Sequence, residues 1–150
     1  MPVTSLPPSD PPTGGADRVV VAYDGSEPSA RAVRLALEAG LAAEVWIVHA
    51  TDPPRAVAEP RTDEEQGSEA GAIEGSLREI QSTADSAERP VHVWIREGRP
   101  ADVILAAAAE ADAGLIVVGT RGLRGAGRLL LGSVSNEVLV RSRRPVTVVP

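Results

Sequence analysis

The chain of 150 residues has no cysteine and no phenylalanine, and only one tyrosine, one methionine and two tryptophans. Without cysteine there is neither a disulfide framework nor a thiolate metal site, a composition that accords with a reducing cytoplasm. Without phenylalanine, a hydrophobic fraction of 43% must build its core from Val, Leu, Ile and Ala. No apolar run reaches membrane-spanning length. No basic segment followed by an apolar run opens the sequence, so neither a membrane anchor nor a signal peptide is expected. Positive charge is also short. A net charge of −6 argues against a general nucleic-acid binder, which needs a basic face to neutralise phosphates. An acidic chain can still hold a local positive pocket.

What is present reads as one α/β domain preceded by a tail. Residues 1–17 are rich in proline and poor in apolar side chains, so they bury too little to offset their ordering entropy and are read as a disordered tail. The domain is expected over 18–150. Five short runs rich in β-branched residues follow: RVVVAY (18–23), EVWIVHA (44–50), VHVWIR (91–96), GLIVVG (114–119) and PVTVVP (145–150). Their bounding Gly, Pro and charged residues complete the strand signature. Helical patterns separate them. In 26–43, Val33, Leu37 and Leu41 recur four apart with Ala30, Ser26 serves as an N-cap and Pro28 suits the first turn. Residues 99–113 open on Pro100 and run through alanines. Residues 132–144 open with a serine as cap and close on arginines, which favour the negative end of a helix dipole. Residues 64–88 carry Ile73, Leu77 and Ile80 at helical spacing, but Gly71 and Gly75 each cost about 1 kcal/mol relative to Ala. Residues 51–66 read as a long acidic loop. No repeat of 20–50 residues is present.

Strands alternating with helices imply an open, five-stranded parallel sheet, Rossmann-like, with helices on both faces. The first and fourth runs are continuously apolar, as central strands are. The third alternates, so it belongs at or near an edge. If the first and fourth strands are neighbours, the chain reverses direction across the sheet between them, and ligands bind beyond the carboxyl ends of the strands at such a reversal. Tyr23, Asp24, Gly25 and Ser26 would meet Gly119, Thr120, Arg121 and Gly122 there.

The stretch after the fourth strand, GTRGLRGAGRLLLGSVSNEVL, intersperses glycines with Arg121, Arg124 and Arg128. Glycine permits positive φ and close backbone approach. Free amides in such a turn, followed by a helix start at Gly132-Ser133, make an anion site, to which the guanidinium groups add bidentate contacts. The competing reading is an ordinary flexible loop with Ser133 as a helix cap. A P-loop is excluded, because Gly122-x4-Gly127 is followed by Arg128-Leu129 and not by Lys and Ser/Thr. A dinucleotide fingerprint is excluded too, because the turn after the first strand reads DGSEPS.

The spacing Gly119-x2-Gly122-x9-Gly132-Ser133 resembles the G-2x-G-9x-G-(S/T) signature of the universal stress protein family. VAYDGSEPS at the first strand, VHA closing the second, EGRPADVIL after the third and PVTVVP at the end are similar to that family in order and position, over roughly residues 18–150. The resemblance implies strand order 3-2-1-4-5, a homodimer through the last strand, and ATP as the ligand of the family's nucleotide-binding branch. Carried over by position, Asp24 would bond the ribose or adenine edge and Ala50 would meet adenine through its backbone. Gly119, Arg121, Gly122, Gly132, Ser133 and Ser135 would line the ribose and phosphate track. Mg²⁺ would arrive on the phosphates, where it keeps several waters. One departure stands out. Family members often carry Asp or Asn before the proline that opens the third helix, where this chain has Arg99. An N-cap commonly worth about 1 kcal/mol is thereby lost; this bears on the helix start more than on the nucleotide site, although an Arg99 near the strand ends could meet phosphate.

The sequence offers no compelling nucleophile–base pair, since His49 and His92 fall within strands, and no carboxylate cluster suited to a tightly held metal. His49 reads as a packed strand-end imidazole. A regulatory nucleotide-binding module in stress response is therefore the expected function. Slow hydrolase or phosphotransferase chemistry on the same scaffold, and a dimeric stress protein that binds no nucleotide, are the alternatives.

Overall fold

A computed structural model describes residues 17–51, 63–85, 89–120 and 131–150. The proline-rich tail expected over 1–17 therefore lies outside the described residues but for Asp17. The elements alternate strictly: β1 (Arg18–Ala22), α1 (Glu27–Glu38), β2 (Glu44–Thr51), α2 (Asp63–Asp85), β3 (Val91–Glu97), α3 (Pro100–Glu110), β4 (Leu115–Gly119), α4 (Ser133–Arg141) and β5 (Val146–Val149). All four strand pairings are parallel, and the sheet order is β3-β2-β1-β4-β5. The chain thus reverses between β1 and β4, where Val20 sits opposite Ile116.

Continuous apolar runs form the central strands because both faces of the sheet are covered. Val19 and Val21 of β1 point into a core with α1 and α2, while Val20 points into the opposite core with α3 and α4. Alanine and valine substitute for the missing phenylalanine. Ala101, Ala107 and Ala108 of α3 are almost completely buried, so that helix packs on the sheet through small side chains. β3 is an edge strand whose Val91 and Val93 join the α1/α2 core, whereas Trp94 packs against the α3/α4 core.

Several boundaries differ from the sequence reading. Helix α1 stops at Glu38 because Gly40 takes φ +62°, so Leu41 lies beyond the helix and is exposed instead of continuing the Val33–Leu37 face. The acidic loop read over 51–66 is shorter at both ends, since Thr51 completes β2 and Asp63 already begins α2. Residues 52–62 lie outside the described residues. Despite Gly71 and Gly75, α2 is a helix of 23 residues, anchored by Leu77 in the core with Ile73 and Ile80 beside it. Tertiary packing overrides propensity there.

Candidate functional site

Beyond β1 the chain turns sharply. Gly25 adopts φ +82°, a region open to glycine at no steric cost. The Asp24 carboxylate accepts a hydrogen bond from the Ser26 amide at 2.9 Å, closing an Asx turn of the kind this residue type favours. Ser26 then caps α1, its Oγ accepting from the Ser29 amide at 3.3 Å. The Ser29 hydroxyl donates to the Ser26 carbonyl at 2.8 Å and accepts from the Asp24 amide at 3.3 Å. Asp24 itself is exposed at the sheet's carboxyl edge. Ile73 of α2 rests on this turn, with its Cγ1 3.3 Å from where a Cβ on Gly25 would stand.

β4 ends against the same turn of α1. A Cβ on Gly119 would lie 2.7 Å from the Pro28 carbonyl carbon and 2.7 Å from the Ser29 nitrogen. Those are backbone atoms that cannot swing aside, so the first glycine of the signature is required by close approach of the α1 start. Ser29 is therefore the point at which Asp24 and Gly119, 95 positions apart in the chain numbering, meet through one residue. The sequence reading did not single it out; its spacing three residues after the Ser26 cap was the available signal. The next residue, Thr120, is buried and donates its amide to the Val149 carbonyl at 2.8 Å. Arg121 and Gly122, with Arg124 and Arg128, lie outside the described residues.

At α4 the N-cap is Gly132 and not the serine, with φ −64° and ψ 160°, and Ser133 is the first helical residue. Glycine contributes no side-chain oxygen, and no acidic residue occupies the first turn. The Ser135 hydroxyl, buried, donates to the Gly132 carbonyl at 3.0 Å. The contrast with α1 is chemical. The α1 start is met by Asp24, Ser26 and Glu27 of its own chain, whereas the first amides of α4 carry the positive end of a dipole with no side-chain cap among the described residues.

The end of β2 is tied to the end of β1. His49 Nδ1 lies 2.9 Å from the Tyr23 carbonyl, which can only accept, so Nδ1 carries the proton. The imidazole is thereby a packed strand-end group. Ala50, half-buried, sits opposite Arg96 in the β2–β3 register. Arg99 occupies the N-cap position of α3 and makes no capping bond there; its guanidinium reaches Glu137 of α4 at 3.3 Å. Among the described residues no group of three or more His, Cys, Asp or Glu side chains is placed to hold a metal ion, and no helix is long and apolar enough to cross a membrane. A separate cleft of about 430 Å³ lies between α1 and α2, lined by Tyr23, Val33, Leu37 and Ile80 with Glu27 and Arg34 at its rim.

The chain is similar to known proteins in sequence and in fold. The sequence model of the Universal stress protein family matches residues 15–150. A universal stress protein of Thermus aquaticus is 35% identical over 139 residues, spanning 87% of this chain and 96% of the relative. A solved universal stress protein in complex with cAMP superposes with a TM-score of 0.67 at 32% identity, covering 91% of this chain and 99% of that one. A family protein from Arabidopsis thaliana, solved with AMP bound, shares the fold with a TM-score of 0.63 at 21% identity, over 89% of this chain and 90% of its own. With its glycine spacing, its sheet order and these likenesses, the chain belongs to the universal stress protein family.

Proposed function

We propose that the protein is an ATP-binding regulatory module of stress response that works as a homodimer, nucleotide occupancy biasing a conformation or a partner surface. The observation that carries this reading is the meeting of Asp24 and Gly119 on Ser29 at the reversal of the sheet, the position where open α/β sheets take their ligands. The solved relative that holds cAMP at 32% identity supports an adenine nucleotide.

The residues fit such a ligand. A carboxylate is a poor neighbour for phosphate and a good acceptor for ribose hydroxyls or an exocyclic amine, so Asp24 takes the sugar or base. The backbone at Ala50, one strand away, takes the adenine edge. The α4 amides after Gly132, with no acidic residue in their turn, suit phosphate. Ser133, exposed at the first helical position, adds a hydroxyl. Ser135 holds the turn through its bond to Gly132. Gly119, Arg121 and Gly122 complete the track between them. Mg²⁺, if carried, would arrive on the phosphates and keep several waters.

Equilibrium dialysis with labelled ATP at micromolar protein, together with mass identification of any nucleotide co-purifying with the chain, tests this directly. Gly132 has φ −64°, which alanine tolerates, so Gly132→Ala should remain folded by circular dichroism. The same variant keeps its amide but sets a methyl group beside the phosphate path, and should lose about tenfold in ATP affinity, a loss on the scale of one charge-assisted hydrogen bond. A wild-type chain that retains no nucleotide would remove the proposal.

A further inference from the structure

Arg99 stands where α3 would carry a cap, and it caps nothing. A position that gives up about 1 kcal/mol of helix stability invites the question of what the guanidinium does instead. It forms the outer end of a chain of charges across the α3–α4 contact. Arg141 reaches Asp102 at 2.7 Å and Glu137 at 2.7 Å, and Arg99 reaches the two Glu137 oxygens at 3.3 and 3.4 Å. Among the described residues Glu137 is thus paired twice, and of these two partners Arg99 is the more distant and more exposed, with 70% of its side chain open to solvent against 44% for Arg141. An ion pair of this exposure contributes about 0–1 kcal/mol. Its release would leave Glu137 still held by Arg141.

Glu137 lies four residues after Ser133, so the two share one face of α4, with Cβ atoms about 5–6 Å apart. Arg99 therefore rests one helical turn from the uncapped start of α4, on the face that Ser133 presents. The Asp24 turn belongs to the α1 side of the sheet and the starts of α3 and α4 to the other side. Phosphates turned away from the Asp24 carboxylate would run to the α3/α4 side of the sheet, the side on which Arg99 stands at the start of α3.

We propose that Arg99 is a specificity-determining residue for the number of phosphates on the bound nucleotide: it exchanges Glu137 for the distal phosphates of a nucleoside triphosphate and leaves a monophosphate untouched. The proposal rests on the nucleotide reading above. The exchange is favourable because two oxygens of one phosphate accept two parallel N–H bonds from a guanidinium, and the phosphate carries more charge than the shared carboxylate it replaces. Lysine, a point charge without the fork, would do part of this work. Asparagine would do none of it, yet would restore a helix cap.

That last property makes the experiment clean. Calorimetric titration with ATP, ADP and AMP is run on the wild type, Arg99→Asn, Arg99→Lys and Glu137→Gln. Arg99→Asn should melt at or above the wild-type temperature, lose about tenfold in ATP affinity, the scale of a hydrogen bond to a charged group, and change less than about twofold for AMP. Arg99→Lys should fall between, and Glu137→Gln, which removes the competing carboxylate, should bind ATP at least as tightly as the wild type. Equal losses for ATP and AMP in Arg99→Asn, or no loss for either, would overturn the role of Arg99 while leaving nucleotide binding standing. A wild type that binds none of the three would overturn both.

Discussion

At the scale of single residues, the positions most closely determined are those where backbone meets backbone. Gly119 is the sharpest case, because a methyl group there would collide with main-chain atoms of Pro28 and Ser29. Gly119→Ala should destabilise the fold by about 1–3 kcal/mol, the range for overpacking, read as a lower midpoint in urea. An unchanged midpoint would show that the α1 start can yield. Glu44 gives a prediction of another kind. Burial raises its pKa, but hydrogen bonds from Arg18 and Trp46 and the charges of Arg18 and His92 outweigh that and hold the carboxyl below its ordinary value. Arg18 Nε lies 3.1 Å from it, His92 Nε2 2.8 Å and Trp46 Nε1 2.9 Å. The unfolded chain therefore takes up this proton first as pH falls. The stability from Glu44 is fully present above its unfolded pKa of about 4.3 and is lost as pH drops through the lower folded value. Melting temperatures measured from pH 7 to 3 should fall less steeply below about pH 4.3 in Glu44→Gln than in the wild type.

At the scale of elements, α2 is the helix least supported by its own sequence. A Cβ on Gly71 or Gly75 would meet nothing within 4 Å, so neither glycine is there for packing among the described residues, and each costs about 1 kcal/mol of helix stability. Gly71→Ala and Gly75→Ala should each raise stability by about that amount, and the two should nearly add in the double variant, as seen by thermal melting. A destabilising effect would mean that something else packs against that face. The α4 start teaches a related lesson. The string Gly132-Ser133 suggests a serine cap, but the helix begins one residue earlier, because Asn136 donates its amide to the Gly132 carbonyl at 2.9 Å. Serine is a good residue on either side of that boundary, and local preference alone did not choose.

At the scale of the whole molecule, β5 is an edge strand with no further strand beside it among the described residues. Its Pro145 and Val149 carbonyls accept from the Ile116 and Thr120 amides of the β4 segment. With the two-residue period of a ladder, the backbone groups of Val146 and Val148 face the other way, outward. That edge and the exposed Val140 at the end of α4 suit pairing with a second copy. Light scattering at tens of micromolar should give a dimer mass. Val148→Pro, which removes an outward amide and leaves the β4 ladder intact, should give a monomer that remains folded by circular dichroism. A variant that stays dimeric would place the interface elsewhere.

The run of β-branched strands and the helix between each pair were legible because they are written in periodicity, whereas the full sheet order came from the family resemblance. β1 and β4 could be placed at the centre, and VHVWIR at or near an edge, from continuous against alternating apolar residues. The Ser26 cap and the Asp24 turn were legible for the same reason, being local. What the tertiary structure decided was where remote segments touch: that Gly119 is glycine because the α1 backbone passes over it, that Ser29 joins the two halves of the crevice, and that the Arg99 side chain turns to Glu137 instead of capping α3. No period or propensity encodes those contacts, since each depends on the distance between chain segments brought together only when both cores close.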